Sequence, residues 1–177
     1  MKVINLFGGP GIGKSCVSAG IFYELKKRGQ NSELVPEFVK DLIYSKRMQE
    51  IGSPEYIFAQ QNQRLHRLRE NVEWAVIDSP LLFTNIYIRP DYPGSIHLKH
   101  FVYEMYQSYS NINILLIRNN DISYKEDEGR IHNHQEAIQK DQEILTMLES
   151  YNIPYFPILV NNDTSSIIVE YVLNFHR

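Results

Sequence analysis

The chain has 177 residues, 43% of them hydrophobic and 22% charged, with nine Gly, eight Pro and a formal net charge of −3. That is ordinary globular composition, long enough for one domain with a sizeable core, and it excludes disorder, collagen-like repeats and coiled coil. The slightly acidic balance excludes bulk attraction to nucleic acid while leaving room for a local basic groove, and no apolar run approaches the roughly 18 residues that a membrane span needs. The single Cys excludes an intrachain disulfide and argues against a Cys-based zinc site. A strand opens at Lys2 with no leader pattern before it, so a reducing, cytoplasmic setting is expected.

Lys2 to Phe7 (KVINLF) is a short apolar run ending at glycines and reads as a strand buried on both faces. Lys14 to Arg28 reads as a helix with Val17, Ile21, Phe22 and Leu25 on one face, basic residues in its last turn and Gly29 as its stop. Ser32 to Val35 is a second strand, ended by Pro36. Asp41 to Gln49 is expected to be helical, and Pro54 opens a long helix to about Asn71. Trp74 to Ile77 is a third strand, Ser95 to Tyr109 a helix and Asn113 to Ile117 a fourth strand. Residues 119–134 are polar and aperiodic and read as a long loop, which in such a fold is either functional or disordered. Gln135 to Tyr151 is an amphipathic helix, Tyr155 to Val160 a fifth strand and Thr164 to Phe175 a closing helix. Strands and helices alternate from end to end, which predicts a parallel sheet covered on both faces.

Gly8-Gly9-Pro10-Gly11-Ile12-Gly13-Lys14-Ser15 fits G-x-x-x-x-G-K-[ST], between an apolar strand and a helix as a phosphate loop requires. Glycines let successive backbone N–H groups approach phosphate oxygens, and the helix N-terminus adds positive potential. Lys14 is expected to reach the β- and γ-phosphates, and the Ser15 hydroxyl to bind Mg²⁺. Cys16 follows inside the helix, either as a small buried filler or as part of the nucleotide-binding run.

Asp78 stands at the C-terminal tip of the third strand, where ligands gather in open α/β sheets. It reads as the acid on the Mg²⁺ side, or else as a helix cap. Ser79 follows it, where ATP-hydrolysing motors carry a water-activating Glu, and this favours transfer to a hydroxyl over hydrolysis. No N-K-x-D segment is present to read guanine. Asn161-Asn162-Asp163 is equally a base-side loop or a plain turn.

Glu37 ends the second strand at the same sheet edge and can serve as a general base, or it is a surface Glu or a partner for Lys40. Arg64 and Arg67 share a helix face and could grip an acceptor phosphate, or simply be solvated. Gln60, Gln61 and Asn62 are polar enough to read a base edge. Arg118 ends the fourth strand, and Arg130 follows Gly129 in the long loop, where a cation could close onto the transferring phosphoryl group. His132 and His134 read as surface residues, since a metal set needs more ligands.

Asn5 to Ser15 (NLFGGPGIGKS), Glu33 to Leu42 (ELVPEFVKDL) and Ile77 to Leu82 (IDSPLL), with Asn152 to Tyr155 (NIPY), resemble the small P-loop kinases encoded by tailed bacteriophages. That group is similar to the nicotinamide-riboside kinase domain and, more remotely, to nucleoside and nucleoside-monophosphate kinases. The resemblance spans nearly the whole chain. It implies a single three-layer α/β/α P-loop NTPase domain, with a five-stranded parallel sheet in the order 2-3-1-4-5 and a lid at about 119–134. It also implies ATP and Mg²⁺ as partners, and transfer of the γ-phosphate to a nucleotide-like hydroxyl. Some members phosphorylate the hydroxymethyl group of 5-hydroxymethyluracil in phage DNA. That acceptor is the first expectation, a free nucleoside or nucleotide the second, and an ATPase or switch without transfer the alternative. By the resemblance Glu37 matches the base, Asp78 the magnesium-side acid and Arg130 the lid arginine. The expected site thus has Lys14, Glu37, Asp78 and Arg130 as catalytic groups and Ser15 with Asp78 on the metal. Gly8 to Cys16 with Arg118 would hold the nucleotide, and Glu37, Lys40, Arg64 and Arg67 the acceptor.

Overall fold

The computed structural model describes residues 1–119 and 133–175. Five strands, β1 (Lys2–Phe7), β2 (Ser32–Val35), β3 (Trp74–Ile77), β4 (Ser110–Ile117) and β5 (Phe156–Leu159), form one sheet in the order β2-β3-β1-β4-β5. Every pairing is parallel. This is the architecture expected from the sequence. It carries all five strand ends, and so the functional residues that follow them, to one edge.

The alternation of side chains along β1 divides the core in two. Val3 and Phe7 join Phe58, Leu65, Val102, Tyr106, Ile144 and Leu148 on one face of the sheet. Ile4 and Leu6 join Val17, Ile21 and Leu25 of α1 (Lys14–Lys27) and Ile168, Val169 and Val172 of α7 (Thr164–Phe175) on the other. Each fully buried aliphatic side chain there contributes about 1.5–3 kcal/mol. Buried Asn5 interrupts the apolar pattern, and its amide donates to Asn111 Oδ1 at 3.0 Å and Asn113 Oδ1 at 3.1 Å. Asn113 Oδ1 also accepts the Tyr106 hydroxyl at 2.7 Å, so this polar ladder between β1 and β4 is internally paired.

Helix boundaries differ from the periodicity reading for local reasons. The helix expected at Asp41 begins earlier, as α2 (Phe38–Tyr44), and a separate 3₁₀ turn covers Met48–Gly52. Lys46 sits at φ 57 between them, and Arg47 N–H closes back on the Leu42 carbonyl at 2.8 Å. That left-handed residue ends the helix. The next helix, α3 (Pro54–His66), stops before Asn71 and continues as tighter turns through Leu68 and Asn71. A short helix unmarked in the sequence, α4 (Phe83–Tyr87), follows β3. Its Phe83 ring packs edge-on against Phe7 at 5.6 Å. The remaining helices are α5 (Ser95–Gln107) and α6 (His134–Ser150). The latter starts at a capping box in which Asn133 and Glu136 satisfy each other's backbone amides. The greater part of the expected lid, with Arg130 and His132, lies outside the described residues. No helix among the described residues is long and apolar enough to cross a membrane.

Candidate active site

The loop between β1 and α1 wraps around the Lys14 ammonium. Gly13 holds φ 100 at the N-cap of α1, a left-handed conformation that glycine adopts without penalty, and this turns the helix amides toward the loop interior. Lys14 Nζ donates to the Gly8 carbonyl at 2.8 Å and the Gly9 carbonyl at 2.9 Å, and lies 5.6 Å from the Phe83 ring centroid. Burial lowers its pKa, and the carboxylates of Glu37 and Asp78 offset part of that effect. Ile12 is buried below the loop in the α1-side core.

Asp78 emerges from β3 almost fully buried and accepts the Ser15 hydroxyl through Oδ2 at 2.8 Å. Lys40, from the first turns of α2, reaches the same point. Its ammonium donates to Ser15 Oγ and lies 3.2 Å from Asp78 Oδ2 and 3.7 Å from Glu37 Oε2. Burial works to lower the Lys40 pKa, but Asp78 and Glu37 together outweigh it and hold the pKa above its ordinary value. Glu37 occupies the N-cap position of α2 without making the cap hydrogen bond. Burial raises its pKa, with Lys14 pulling the other way.

These groups line one cleft of about 730 Å³. The phosphate loop, with Lys14, Ser15 and Cys16, forms its floor. Glu37, Lys40 and Ile43 form one wall, Phe83, Thr84 and Tyr87 of α4 a second, and Lys140 and Ile144 of α6 a third. Tyr92, which also lines the cleft, donates its hydroxyl to Glu55 Oε2 at 2.5 Å. Tyr87 is half-exposed, and within the cleft its hydroxyl is pushed up to about 12 by desolvation and by the Glu37 and Glu143 carboxylates.

The structure therefore gathers Lys14, Ser15, Cys16, Glu37, Lys40 and Asp78. Cys16 is exposed on the cleft, not a buried filler as its residue type suggested. Arg64 and Arg67 do not line the cleft. Arg64 pairs with Asp41, stacks over Phe38 at 5.0 Å and donates to the Pro36 carbonyl at 3.4 Å, so it braces α2 from outside. Arg67 is an exposed residue at the end of α3. Gln61 is buried, with Oε1 accepting the Phe38 amide at 2.9 Å. Arg118 lies beside the phosphate loop, its guanidinium donating to Asp141 at 2.8 Å and the Pro10 carbonyl at 2.9 Å. Asp141, which nothing in the sequence singles out, also accepts the Gly9 amide at 2.6 Å. Asn161 and Asp163 form a hydrogen-bonded turn that opens α7.

The donor set at Ser15 and Asp78 fits Mg²⁺. Asp78 Oδ1 is a buried oxygen with no hydrogen-bond partner, and with the Ser15 hydroxyl it supplies the one or two protein oxygens that Mg²⁺ takes when phosphate and water complete its shell. Among the described residues no group of three His, Cys, Asp or Glu gathers into a metal centre.

Solved structures of deoxyadenosine kinase from M. mycoides share the fold. The form with bound dCTP superposes with a TM-score of 0.65 at 20% identity over 98% of this chain and 99% of that one. The dATP form gives 0.63 at 18% identity over 98% and 99%, and the form with products 0.62 at 17% over 99% and 100%. At these identities the likeness is one of architecture. No curated protein matches the sequence. Residues 3–163 match the family described as an AAA domain, and the chain, a P-loop NTPase with the sheet order β2-β3-β1-β4-β5, belongs to that family.

Proposed function

We propose that the protein is a kinase that transfers the γ-phosphate of ATP to a hydroxyl of a nucleoside or nucleotide-like acceptor. The observation that carries this reading is the position of Glu37. Its carboxylate lines the cleft that the phosphate loop floors, and it is spared from capping its own helix. A carboxylate with a raised pKa beside a phosphate site is suited to take a proton from an attacking alcohol. Lys14 and the amides from Gly11 to Ser15 would hold the triphosphate with its terminal group toward that carboxylate. Mg²⁺ held by Ser15 and Asp78 would neutralise charge on the phosphate oxygens. Lys40 and Lys140 add positive charge to the cleft walls. Arg130 is the candidate for a further cation from the lid. Ser79 after Asp78 supports transfer over hydrolysis, because no carboxylate follows the acid to activate water.

A cleft of about 730 Å³ suits a single nucleoside unit, free or turned out of a strand. The narrower acceptor, the hydroxymethyl group of 5-hydroxymethyluracil in DNA, uses the same chemistry and is one arm of the test. The protein is incubated with γ-labelled ATP and Mg²⁺ beside deoxynucleosides, their monophosphates and hydroxymethyluracil-containing DNA. Label in one of these acceptors is the expected result. Label released only as inorganic phosphate, with every acceptor unlabelled, would overturn the kinase reading in favour of an ATPase or switch.

A further inference from the structure

Three oxygens of the cleft converge on one ammonium group. Lys40 Nζ donates to Ser15 Oγ, lies 3.2 Å from Asp78 Oδ2 and 3.7 Å from Glu37 Oε2. Ser15 Oγ and Asp78 are the same donors that suit a divalent cation. The Asp78 side chain is only 5% exposed, so a charge there is costly without a cation nearby. Lys40 is the cation that meets it here, on a flexible four-carbon stem whose side chain is 35% exposed. A lysine has the reach to leave this point for the open cleft, and a metal ion arriving at Asp78 would repel it.

We propose that Lys40 is a tethered counter-ion that holds the divalent-cation position of the resting site, and that metal binding displaces its ammonium into the cleft. The lysine and the metal thus compete for Ser15 and Asp78. When the metal wins, the ammonium gives up Ser15 and Asp78 and its charge moves into the open cleft. Lys40 is by this account a positioning residue for the metal site, and it sets how much metal is needed to load it. The inference rests on the reading of Ser15 and Asp78 as metal donors given above.

The test uses the nucleotide-free full chain and Mn²⁺ as the probe, with binding read by electron paramagnetic resonance of the free ion. Lys40→Met should bind Mn²⁺ about tenfold more tightly than wild type, because a like charge within 4 Å of the donors has been removed. Lys40→Arg should not tighten binding. Lys26→Met, which removes the same net charge at the far end of α1, should leave binding unchanged. Equal or weaker Mn²⁺ binding by Lys40→Met, including no binding in either protein, overturns the proposal.

A second measurement needs no variant. Acylation of Lys40 by an amine-reactive ester, read by peptide mass analysis of wild type, should rise severalfold when Mn²⁺ is added. Unchanged or reduced labelling overturns the proposal too. Neither arm contains ATP or an acceptor, so failure here leaves the kinase reading standing, and failure to find an acceptor leaves this result standing.

Discussion

The side chain of Gln61 caps the helix that Glu37 begins. Gln61 Oε1 accepts the Phe38 amide at 2.9 Å, and its Nε2 donates to the Pro36 carbonyl at 3.3 Å. The side chain at an N-cap ordinarily accepts from the second or third amide of its helix, and Glu37 makes no such bond. The first amide, that of Phe38, is met by a glutamine twenty-three positions beyond it, and Glu37 lines the cleft. Gln61→Leu removes that acceptor at similar size and leaves the Phe38 amide buried and unpaired. Stability should fall by about 1–2 kcal/mol in a denaturant titration. Turnover should fall more than ATP affinity, as the turn that carries Glu37 loses its anchors at Pro36 and Phe38.

Glu37→Gln keeps the shape of the side chain and removes its basicity. Turnover should drop on the order of 10²–10⁴-fold while the equilibrium affinity for ATP stays within about twofold. The variant should be no less stable than wild type at neutral pH. A carboxyl whose pKa is raised by folding favours the folded state fully below its unfolded pKa, and that benefit is lost as pH rises through the folded value. Above that value the ionised carboxylate is therefore a cost that glutamine escapes. Normal turnover, or a clear loss of stability, would remove Glu37 from the role of base.

The same raised pKa fixes the direction of the pH profile. Below it Glu37 holds its proton and cannot accept another. The acidic limb of kcat/KM should therefore lie above the range of an ordinary carboxylate, about 4.3. Residual activity of Glu37→Gln should be flat through that interval. A wild-type limb at or below the ordinary value would mean that another group governs the proton.

Lys14→Ala should abolish transfer and weaken ATP binding, measured by calorimetry. The variant loses both the charge directed at the phosphates and the two contacts, at 2.8 and 2.9 Å, that close the loop around its own ammonium. Undiminished turnover would mean that the loop does not hold the donor.

What could be read in advance follows from how local the signal is. The phosphate loop is a contiguous motif, and Asp78 and Glu37 each stand at the end of a strand, so these side chains are legible from the residues, while the sheet order comes with the family resemblance. Helix α4 is five residues long, too short to display a period, yet its Phe83 and Tyr87 wall the cleft. The spacing of Arg64 and Arg67 correctly describes a helix, but spacing cannot say which neighbour a guanidinium will meet. Asp41 on α2 takes Arg64 away from the cleft. Lys40 is the third residue of α2, at the end where helix boundaries are hardest to place. Asp141 is 132 positions from its partner Gly9, and only the packing of α6 on the loop unites them.

That last contact carries its own prediction. A Cβ at Gly9 would collide with Asp141 Oδ1 and lie 2.7 Å from the Ala137 carbonyl, so α6 sits directly on the phosphate loop. Gly9→Ala should push the two apart and cost about 1–3 kcal/mol in thermal unfolding, with a higher KM for ATP. Asp141→Ala removes the acceptor of the Gly9 amide and the partner of Arg118 without adding bulk. If the contact orders the loop, this variant should raise KM for ATP about tenfold or more and leave KM for the acceptor unchanged. Asp141→Asn, which can still accept from Gly9, should recover part of that loss. Equal effects on both substrates would mean that Asp141 supports the fold at large and not the donor loop.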